Sequence, residues 1–337
     1  MKRATRLATG GAIVAGTLSL ALALSGFTAV TRDPSRAEIA TSDVTRFWRA
    51  FDDAAKVPMA ERVAVYRKEY LAPATQGLKD FIAYRHVTAA SLTQHVEAGR
   101  AYYSQVRPYI GQVVGQKPMI AAAFRRLKTI YPPIVFPGHV YFVVGQQHGA
   151  GMNSPHGIIL AAEMLATPPG TPYSYNKVYP DYVPFSVVHE TIHFNQSFQQ
   201  GDHDTLLQDV INEGTADFIA SLTLPDPAPR QSTDRWHYGC AHEAELAARF
   251  AKEAGMKGTG PWLFNHHPDT GWPIDMGYWL GYRIAQAFYD RSANKREALH
   301  ELLQVTDFSR LLDASHYLQA RPACVEERPI AVSGSAG

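Results

Sequence analysis

The sequence contains very little cysteine, with only Cys240 and Cys324 among its 337 residues. Two cysteines do not supply a cysteine-ligated metal site, and their spacing does not indicate a cysteine nucleophile. In an exported protein such a pair predicts a disulfide that ties the C-terminal tail back to the body of the protein. Two separate free thiols are the alternative.

Several catalytic signatures are also missing from the chain. It has no Gly-x-Ser-x-Gly nucleophile elbow, no phosphate loop ending in Gly-Lys-Ser/Thr and no dinucleotide-binding fingerprint. These motifs carry the nucleophile or the glycine-rich backbone that their chemistry requires. The sequence therefore gives no support to a serine hydrolase or to a nucleotide-dependent enzyme.

An excess of one charge is missing as well, because 32 lysine and arginine residues face 31 aspartate and glutamate residues. No basic stripe interleaved with aromatic residues occurs, so we expect no nucleic-acid partner. With 46% hydrophobic, 11% aromatic and only 19% charged residues, the chain can bury a large core. Its length predicts one large globular domain or two modest ones.

The N-terminus has the layout of a secretory signal peptide over residues 1–25. Lys2, Arg3 and Arg6 precede an uncharged run over 7–31, and Ala23 and Ser25 provide small residues at the two critical cleavage positions. We therefore expect export to the periplasm or the extracellular space. An uncleaved membrane anchor is the alternative, since the run is about long enough to span a bilayer. No cysteine follows the run, so a lipoprotein is not supported.

Residues 34–131 are predicted to form about four helices, because apolar residues recur three or four apart along several segments. This region is either a domain or a propeptide that covers the active site until it is removed. The short β-branched and aromatic runs over 139–147 and 157–165 predict two strands of a small sheet, separated by the turn formers HGAGMNSPH. Helices are expected again up to about residue 318.

The stretch VVHETIHFNQ, residues 187–196, carries the strongest chemical signal. On a helix, His189 and His193 lie one turn apart and project from the same face about 6 Å apart, so both can reach one metal ion. Glu190 lies one step around the helix. It is badly angled to bind the ion but can take a proton from a water molecule at the metal.

A catalytic zinc ion needs three protein ligands and one open position, so a third ligand must come from elsewhere. The metzincin pattern would place a glycine and a histidine where the sequence has Gln196 and Gln199, which excludes that class. Glu213 follows His193 by twenty residues and can serve as the third ligand. Asp217, one helical turn later, can accept a hydrogen bond from the second nitrogen of a ligand histidine.

These motifs resemble the thermolysin-like gluzincin metallopeptidases, whose pattern is HExxH followed downstream by NExxxD. The wider set VYFVVG, HETIHFNQ, NEGTADFIA, YGCAHEAEL and DMGYWLGYRIAQAFYD resembles a bacterial family of predicted zinc-dependent proteases related to a gliding-motility lipoprotein, over roughly residues 135–318. The resemblance implies one Zn²⁺ ion held by His189, His193 and Glu213, with Glu190 as general base. A structural metal site, a degenerate peptidase and core histidines without metal are the alternatives.

Two tyrosines and two histidines are candidates for the group that stabilises the oxyanion, the negative oxygen that develops on the substrate carbonyl. Tyr278 and Tyr282 lie one helical turn apart and can donate a hydrogen bond, or they are core tyrosines with satisfied hydroxyls. His237 and His242 are competing donors, although His242 also fits a helix cap. In the gluzincins an edge strand pairs with the substrate, and GIILAAEML is expected to be that strand. Glu163 within it would meet a basic group of the substrate, or is a surface carboxylate.

We therefore expect an α+β protein that is predominantly α-helical. A gluzincin-like zinc metallopeptidase domain over 135–320 would contain the small sheet and the catalytic helix. A helical region over 34–131 would precede it, and a flexible tail over 325–337 would follow it. The expected function is hydrolysis of a peptide or protein substrate, and contact with a membrane is expected only if the N-terminal segment is not cleaved. A non-catalytic zinc-binding envelope protein, acting in assembly or partner binding, is the alternative.

Overall fold

The structure is a computed structural model that describes residues 30–147, 149–168, 179–199, 201, 204–224, 233–264 and 271–324. The predicted signal peptide, the predicted tail and the cluster HHPD at 266–269 lie outside the described residues. Within the described ranges, no helix is both long enough and apolar enough to cross a membrane. The α+β class, with a large excess of helix over strand, is confirmed.

Most of the described residues belong to α-helices connected by short loops. The helices are α1 (Ser42–Ala54), α2 (Met59–Tyr66), α3 (Gln76–Tyr84), α4 (Ala89–Ala98), α5 (Arg100–Gly115), α6 (Lys117–Ile130), α7 (Val183–Asn195), α8 (Leu206–Leu222), α9 (Thr233–Ala241), α10 (Glu243–Glu253), α11 (Met276–Arg291), α12 (Lys295–Leu303) and α13 (Phe308–Ser315). The strands are β1 (Val30–Thr31), β2 (Glu38–Ala40), β3 (Phe136–Pro137), β4 (His139–Val143), β5 (Gly151–Ser154) and β6 (Gly157–Ala161).

The main sheet has four strands in the order β2-β4-β6-β5. β2, β4 and β6 are parallel, and β5 is antiparallel to β6, with Gly151 opposite Leu160 and Asn153 opposite Ile158. Every residue of β6 is buried, as expected for a parallel strand covered on both faces. β5 is therefore the edge strand of the sheet on the side of α7, which it contacts.

Two expectations about the strands are wrong. The segment HGAGMNSPH, expected to consist of turns only, contains β5, and GIILAAEML supplies the internal strand β6 rather than an edge strand. Strand propensity does not identify β5, because Gly151, Asn153 and Ser154 are small or polar and none of its residues is β-branched or aromatic. Its pairing with β6 across a tight turn determines its conformation. Gly157 makes that turn possible, since its φ is 141° and a Cβ there would lie 2.2 Å from the carbonyl oxygen of His139.

The N-terminal helices and the rest of the chain share one continuous core. β2, within the region expected to be all helical, is hydrogen bonded to β4. The hydroxyl of Tyr70 donates to the carbonyl of Val144 at 2.6 Å, and the hydroxyl of Tyr103 donates to the carbonyl of Gly145 at 2.7 Å. Both tyrosines are fully buried. The N-terminal half therefore holds the residues that follow β4.

Helices α8 and α11 are in backbone contact at two glycines. A Cβ on Gly214 would lie 2.0 Å from the carbonyl carbon of Gly281, and a Cβ on Gly281 would lie 1.8 Å from the carbonyl oxygen of Val210. Neither position accepts a side chain without separating the helices. This contact fixes α11, and with it Tyr278, against the helix that carries Glu213.

Cys240 and Cys324 form a disulfide, with their Cα atoms 5.4 Å apart. Arg283, only 1% exposed, pairs with Glu243 at 3.0 Å and donates to the backbone carbonyls of Pro322 and Ala323. The end of the described chain is thus fixed both covalently and by a buried arginine. These contacts lie on α9, α10 and α11, the helices that follow Glu213 in the sequence.

Candidate metal centre

Helices α7 and α8 bring three potential metal ligands together. Nε2 of His189 and Nε2 of His193 lie 2.9 Å apart, and Oε2 of Glu213 lies 3.3 Å from each of them. All three ligand atoms lie within 4.8 Å of one another. Four ligands arranged tetrahedrally about an ion, with bonds of 2.0–2.1 Å, are about 3.3 Å apart. The spacing therefore fits a metal ion that forms bonds of that length.

The opposite nitrogen of each histidine is hydrogen bonded in a way that fixes its tautomer. Nδ1 of His189 lies 2.8 Å from Oδ1 of Asp217, and Nδ1 of His193 lies 2.7 Å from Oε1 of Gln196. The amide nitrogen of Gln196 donates to the carbonyl of Asn212 at 2.8 Å, so its oxygen must face His193. Both partners accept hydrogen bonds, which places a proton on each Nδ1 and leaves each Nε2 with a lone pair. This is the arrangement that metal-ligating histidines require.

Three lone pairs therefore converge on one point with low exposure to solvent. Burial acts to raise the pKa of Glu213, but the neighbouring histidines outweigh it and lower that pKa. Burial acts to lower the pKa of both histidines, but hydrogen bonds and charges from the carboxylates outweigh it and raise their pKa values. The pocket thus favours a positive charge among these atoms, in keeping with a cation site.

The three candidate ligands differ slightly in how much of each side chain is exposed to solvent. The side chains of His189 and His193 are 13% and 17% exposed, against 6% for Glu213. Within the part of the chain that the structure describes, three side chains supply candidate ligand atoms, and the two histidines among them are partly exposed. A structural site would more often be closed by a fourth protein ligand.

Glu190 lies between α7 and the edge strand β5. A Cβ on Gly151 would approach its Oε1 to 2.3 Å, and the backbone carbonyl of Glu190 accepts a hydrogen bond from Nδ2 of Asn153 at 3.3 Å. Burial raises the pKa of Glu190, while the positive charges of His189, His193 and Arg85 act in the opposite direction. A carboxylate placed beside a metal site with a raised pKa is suited to accept and return a proton.

The two predicted tyrosines have different surroundings. The ring of Tyr278 lies 6.1 Å from the ring of His189, and the guanidinium of Arg235 lies 5.4 Å from its centre. The hydroxyl of Tyr282 instead lies 3.1 Å from Oγ of Ser221. Ser221 is eight residues beyond Glu213 on α8, about 12 Å along the helix axis. The geometry therefore favours Tyr278 of the two.

The other predicted donors are not brought to the centre by any described contact. His242 stacks on Tyr238 with ring centres 4.2 Å apart and occupies the position before α10, and His237 is exposed on α9. His242 thus packs at the start of α10, but its side chain makes no capping hydrogen bond there.

The expectations for Glu163 are wrong. It is fully buried rather than on the surface, and it faces the interior rather than a substrate. Its Oε1 accepts hydrogen bonds from the backbone nitrogens of Gly145 at 2.9 Å and Gln147 at 3.3 Å. Burial raises the pKa of Glu163 to about 7. Its function is to hold the segment that leads from β4 towards β5.

Sequence reasoning missed three contributors to this centre. Gln196 orients His193, Gly151 makes room for Glu190, and Arg85 places a positive charge near Glu190 from the N-terminal half. Gln196 lies only three residues after His193, so its proximity is a signal in the sequence. Arg85 is more than one hundred residues away, and only the fold shows that it is near.

Comparison with known proteins gives no assignment: no protein-family model, no curated protein and no solved structure matches this chain. The resemblance to zinc-dependent proteases therefore stays a prediction.

Proposed function

We propose that the protein is a zinc-dependent peptidase of the gluzincin type, with one Zn²⁺ ion held by His189, His193 and Glu213. The observation that carries the proposal is the convergence of these three ligand atoms, each histidine fixed in its metal-binding tautomer, with Glu190 beside them. Two imidazoles and one carboxylate are a ligand set found in catalytic zinc sites. A purely structural site has no need of Glu190.

Zinc, when bound, acts as a Lewis acid that polarises the substrate carbonyl and lowers the pKa of water towards about 7. Glu190 accepts the proton of the attacking water and passes it to the amine that leaves. Asp217 and Gln196 hold the imidazoles in place during this cycle. Tyr278 is the proposed donor to the negative oxygen that develops on the carbonyl.

The edge strand β5 is the proposed docking site for the substrate backbone. The nitrogen of Ala161 donates to the carbonyl of Ala150, so the backbone groups of Gly151 and Asn153 point away from β6. Among the described residues no strand pairs with this outer edge. An extended peptide added there would run past Glu190, next to the three ligands.

We also propose that the protein acts outside the cytoplasm, in the periplasm or beyond. The disulfide between Cys240 and Cys324 supports this location, because such bonds form and persist in oxidising compartments. The layout of residues 1–25 is that of a signal peptide.

The test compares the zinc-loaded protein with its Glu190→Gln variant on a library of internally quenched peptides. Cleavage by the parent protein that falls by at least about 1,000-fold in the variant, at equal zinc content, supports the proposal. Equal signal in both proteins, or none in either, contradicts it and favours a non-catalytic zinc-binding protein. Zinc content measured by elemental analysis tests the ligands separately: His193→Ala must lose stoichiometric zinc.

A further inference from the structure

Arg85, the residue after helix α3, reaches across to the segment that leads into β5. Its Nη2 lies 2.9 Å from the position that a Cβ on Gly149 would occupy, and the φ of Gly149 is 84°, which favours glycine. Two residues further on, Gly151 makes room for Glu190 in the same way. Gly149 thus leaves room for the side chain of Arg85, and Gly151, two residues further on, leaves room for the oppositely charged side chain of Glu190.

The guanidinium of Arg85 has no acidic partner within the described ranges of the chain. Its Nε is buried and has no hydrogen-bond acceptor there, and its guanidinium carbon lies 5.3 Å from the centre of the Tyr84 ring. Several other arginines of the N-terminal half do have an acidic partner, for example Arg62 with Glu97 and Arg107 with Asp52. A buried donor without an acceptor is costly unless a ligand supplies one.

Carboxylates are the natural ligands of such a group, because the guanidinium fork matches the two oxygens of a carboxylate. Gly149 and Gly151 are two residues apart, which in an extended segment is about 7 Å. A ligand that contacts Arg85 while its backbone passes Glu190 would therefore carry its carboxylate within about two residues of the reacting bond.

We propose that Arg85 is a specificity-determining residue that binds a substrate carboxylate about two residues from the bond to be cleaved. The substrate class is then peptides that end in a free carboxylate at that position, or that carry an aspartate or glutamate side chain there. This inference rests on the proposed peptidase function and adds the substrate class to it. It also gives the N-terminal half a direct part in the site.

The first test measures kcat/KM for three matched peptide sets: free C-terminal carboxylate, the same peptides amidated, and amidated peptides with an acidic side chain near the cleaved bond. The parent protein is expected to prefer one carboxylate set over the plain amides by about 10- to 100-fold, the effect of one charge-assisted contact. The two carboxylate sets distinguish an α-carboxylate from a side-chain carboxylate. No preference for either set over the amides overturns the inference.

The variants identify Arg85 as the source of the preference. Arg85→Gln is expected to bring the ratio of the carboxylate set to the amide set close to one, and Arg85→Lys to retain part of it, because lysine keeps the charge but not the fork. Arg67→Gln, an exposed arginine of the same half, is the charge-matched control. If the ratio persists in Arg85→Gln, Arg85 does not read the carboxylate. Equal losses on all three sets also contradict the inference, since they show a general effect on the centre.

A binding measurement separates this inference from the proposed function. In the zinc-loaded Glu190→Gln background, titration calorimetry compares a carboxylate-bearing peptide with its amide, with and without Arg85→Gln. Tighter binding of the carboxylate peptide, by about 10- to 100-fold and only when Arg85 is present, supports the inference even if no peptide is cleaved. Equal affinities for both peptides overturn it, whatever the peptidase assay shows.

Discussion

Gln196 determines which nitrogen of His193 faces the metal site. Its amide oxygen accepts a hydrogen bond from Nδ1 of His193 at 2.7 Å, while its amide nitrogen is held by the carbonyl of Asn212 at 2.8 Å. The carbonyl of Asn212 belongs to the residue just before Glu213, so one side chain links two of the three ligands. Asp217 accepts a hydrogen bond from Nδ1 of His189 at 2.8 Å, and so determines which nitrogen of His189 faces the site.

Loss of the Gln196 side chain should therefore weaken metal binding without removing a ligand. We expect Gln196→Ala to lower zinc affinity about 10- to 100-fold, the usual effect of removing a group that orients a ligand histidine. Competition for zinc between the protein and a chelating dye measures this affinity. Gln94→Ala, at an exposed position on α4, is the control. Equal affinity in Gln196→Ala and the control would show that the histidine is oriented by other contacts.

A side chain at position 151 should displace the proposed general base. The Cβ of Gly151→Ala would lie 2.3 Å from Oε1 of Glu190, so the carboxylate must move away from its present position. We expect kcat/KM for peptide cleavage to fall by at least about 10-fold, because misplacement of about 1 Å is enough for a large loss. Zinc content should stay stoichiometric.

The matched control for that variant is Gly111→Ala, where a Cβ on α5 meets nothing within 4 Å. It should keep full activity and gain a little stability, as glycine-to-alanine changes inside helices do. Full activity in Gly151→Ala would mean that Glu190 works from a different position.

The buried carboxyl of Glu163 should make stability depend on pH. Burial raises its pKa in the folded protein to about 7, from an ordinary value of 4.5. Between these values the folded state holds a proton that the unfolded state has released, so stability falls as pH rises from about 4.5 to about 7 and then levels off. Over this range the free energy of unfolding should fall by about 3 kcal/mol in total.

Glu163→Gln keeps an oxygen for the nitrogens of Gly145 and Gln147 but does not titrate. Denaturant unfolding of the parent protein and of Glu163→Gln from pH 4.5 to pH 8 checks this dependence on pH. The free energy of unfolding of the parent should fall relative to that of the variant as the pH rises to about 7. Parallel curves would show that the buried carboxyl titrates in the same way in the folded and unfolded states.

Removal of the disulfide should destabilise the protein, because the bond closes a loop with a sequence separation of 84 residues. We expect the double variant Cys240→Ser/Cys324→Ser to lose about 2–5 kcal/mol of unfolding free energy. Chemical denaturation without reductant measures the difference, and the parent protein in reductant should approach the variant. The same midpoint under all conditions would mean that the bond does not form in solution.

The clustering of the three candidate ligands could be predicted in part from the sequence, because the geometry within each helix is local. His189 and His193 are separated by one helical turn, as are Glu213 and Asp217, and helical spacing alone places each pair on one face. Gly281 touches the backbone of α8, so a glycine at this position is a sequence feature that fits close packing of α11.

The strand β5, the burial of Glu163 and the position of Arg85 could not be predicted, because each depends on contacts between segments that are distant in the sequence. β5 is a strand only through its pairing with β6, and its small polar residues give no periodic signal. Glu163 was expected at the surface because a carboxyl is rarely buried, but two backbone nitrogens offset part of its desolvation. Arg85 approaches Glu190 only because the N-terminal helices pack around the sheet.

The sharing of the sheet between the two halves has a consequence for what a single cut in the backbone would do. Pro132 and Pro133 are exposed in the connection after α6, where a nick would divide the chain. Because β2 is bonded to β4 and Tyr70 and Tyr103 bind the residues after β4, the fragments would remain associated as a complementing pair. We therefore expect the three candidate ligands to stay together after such a cut, because the two halves share one core.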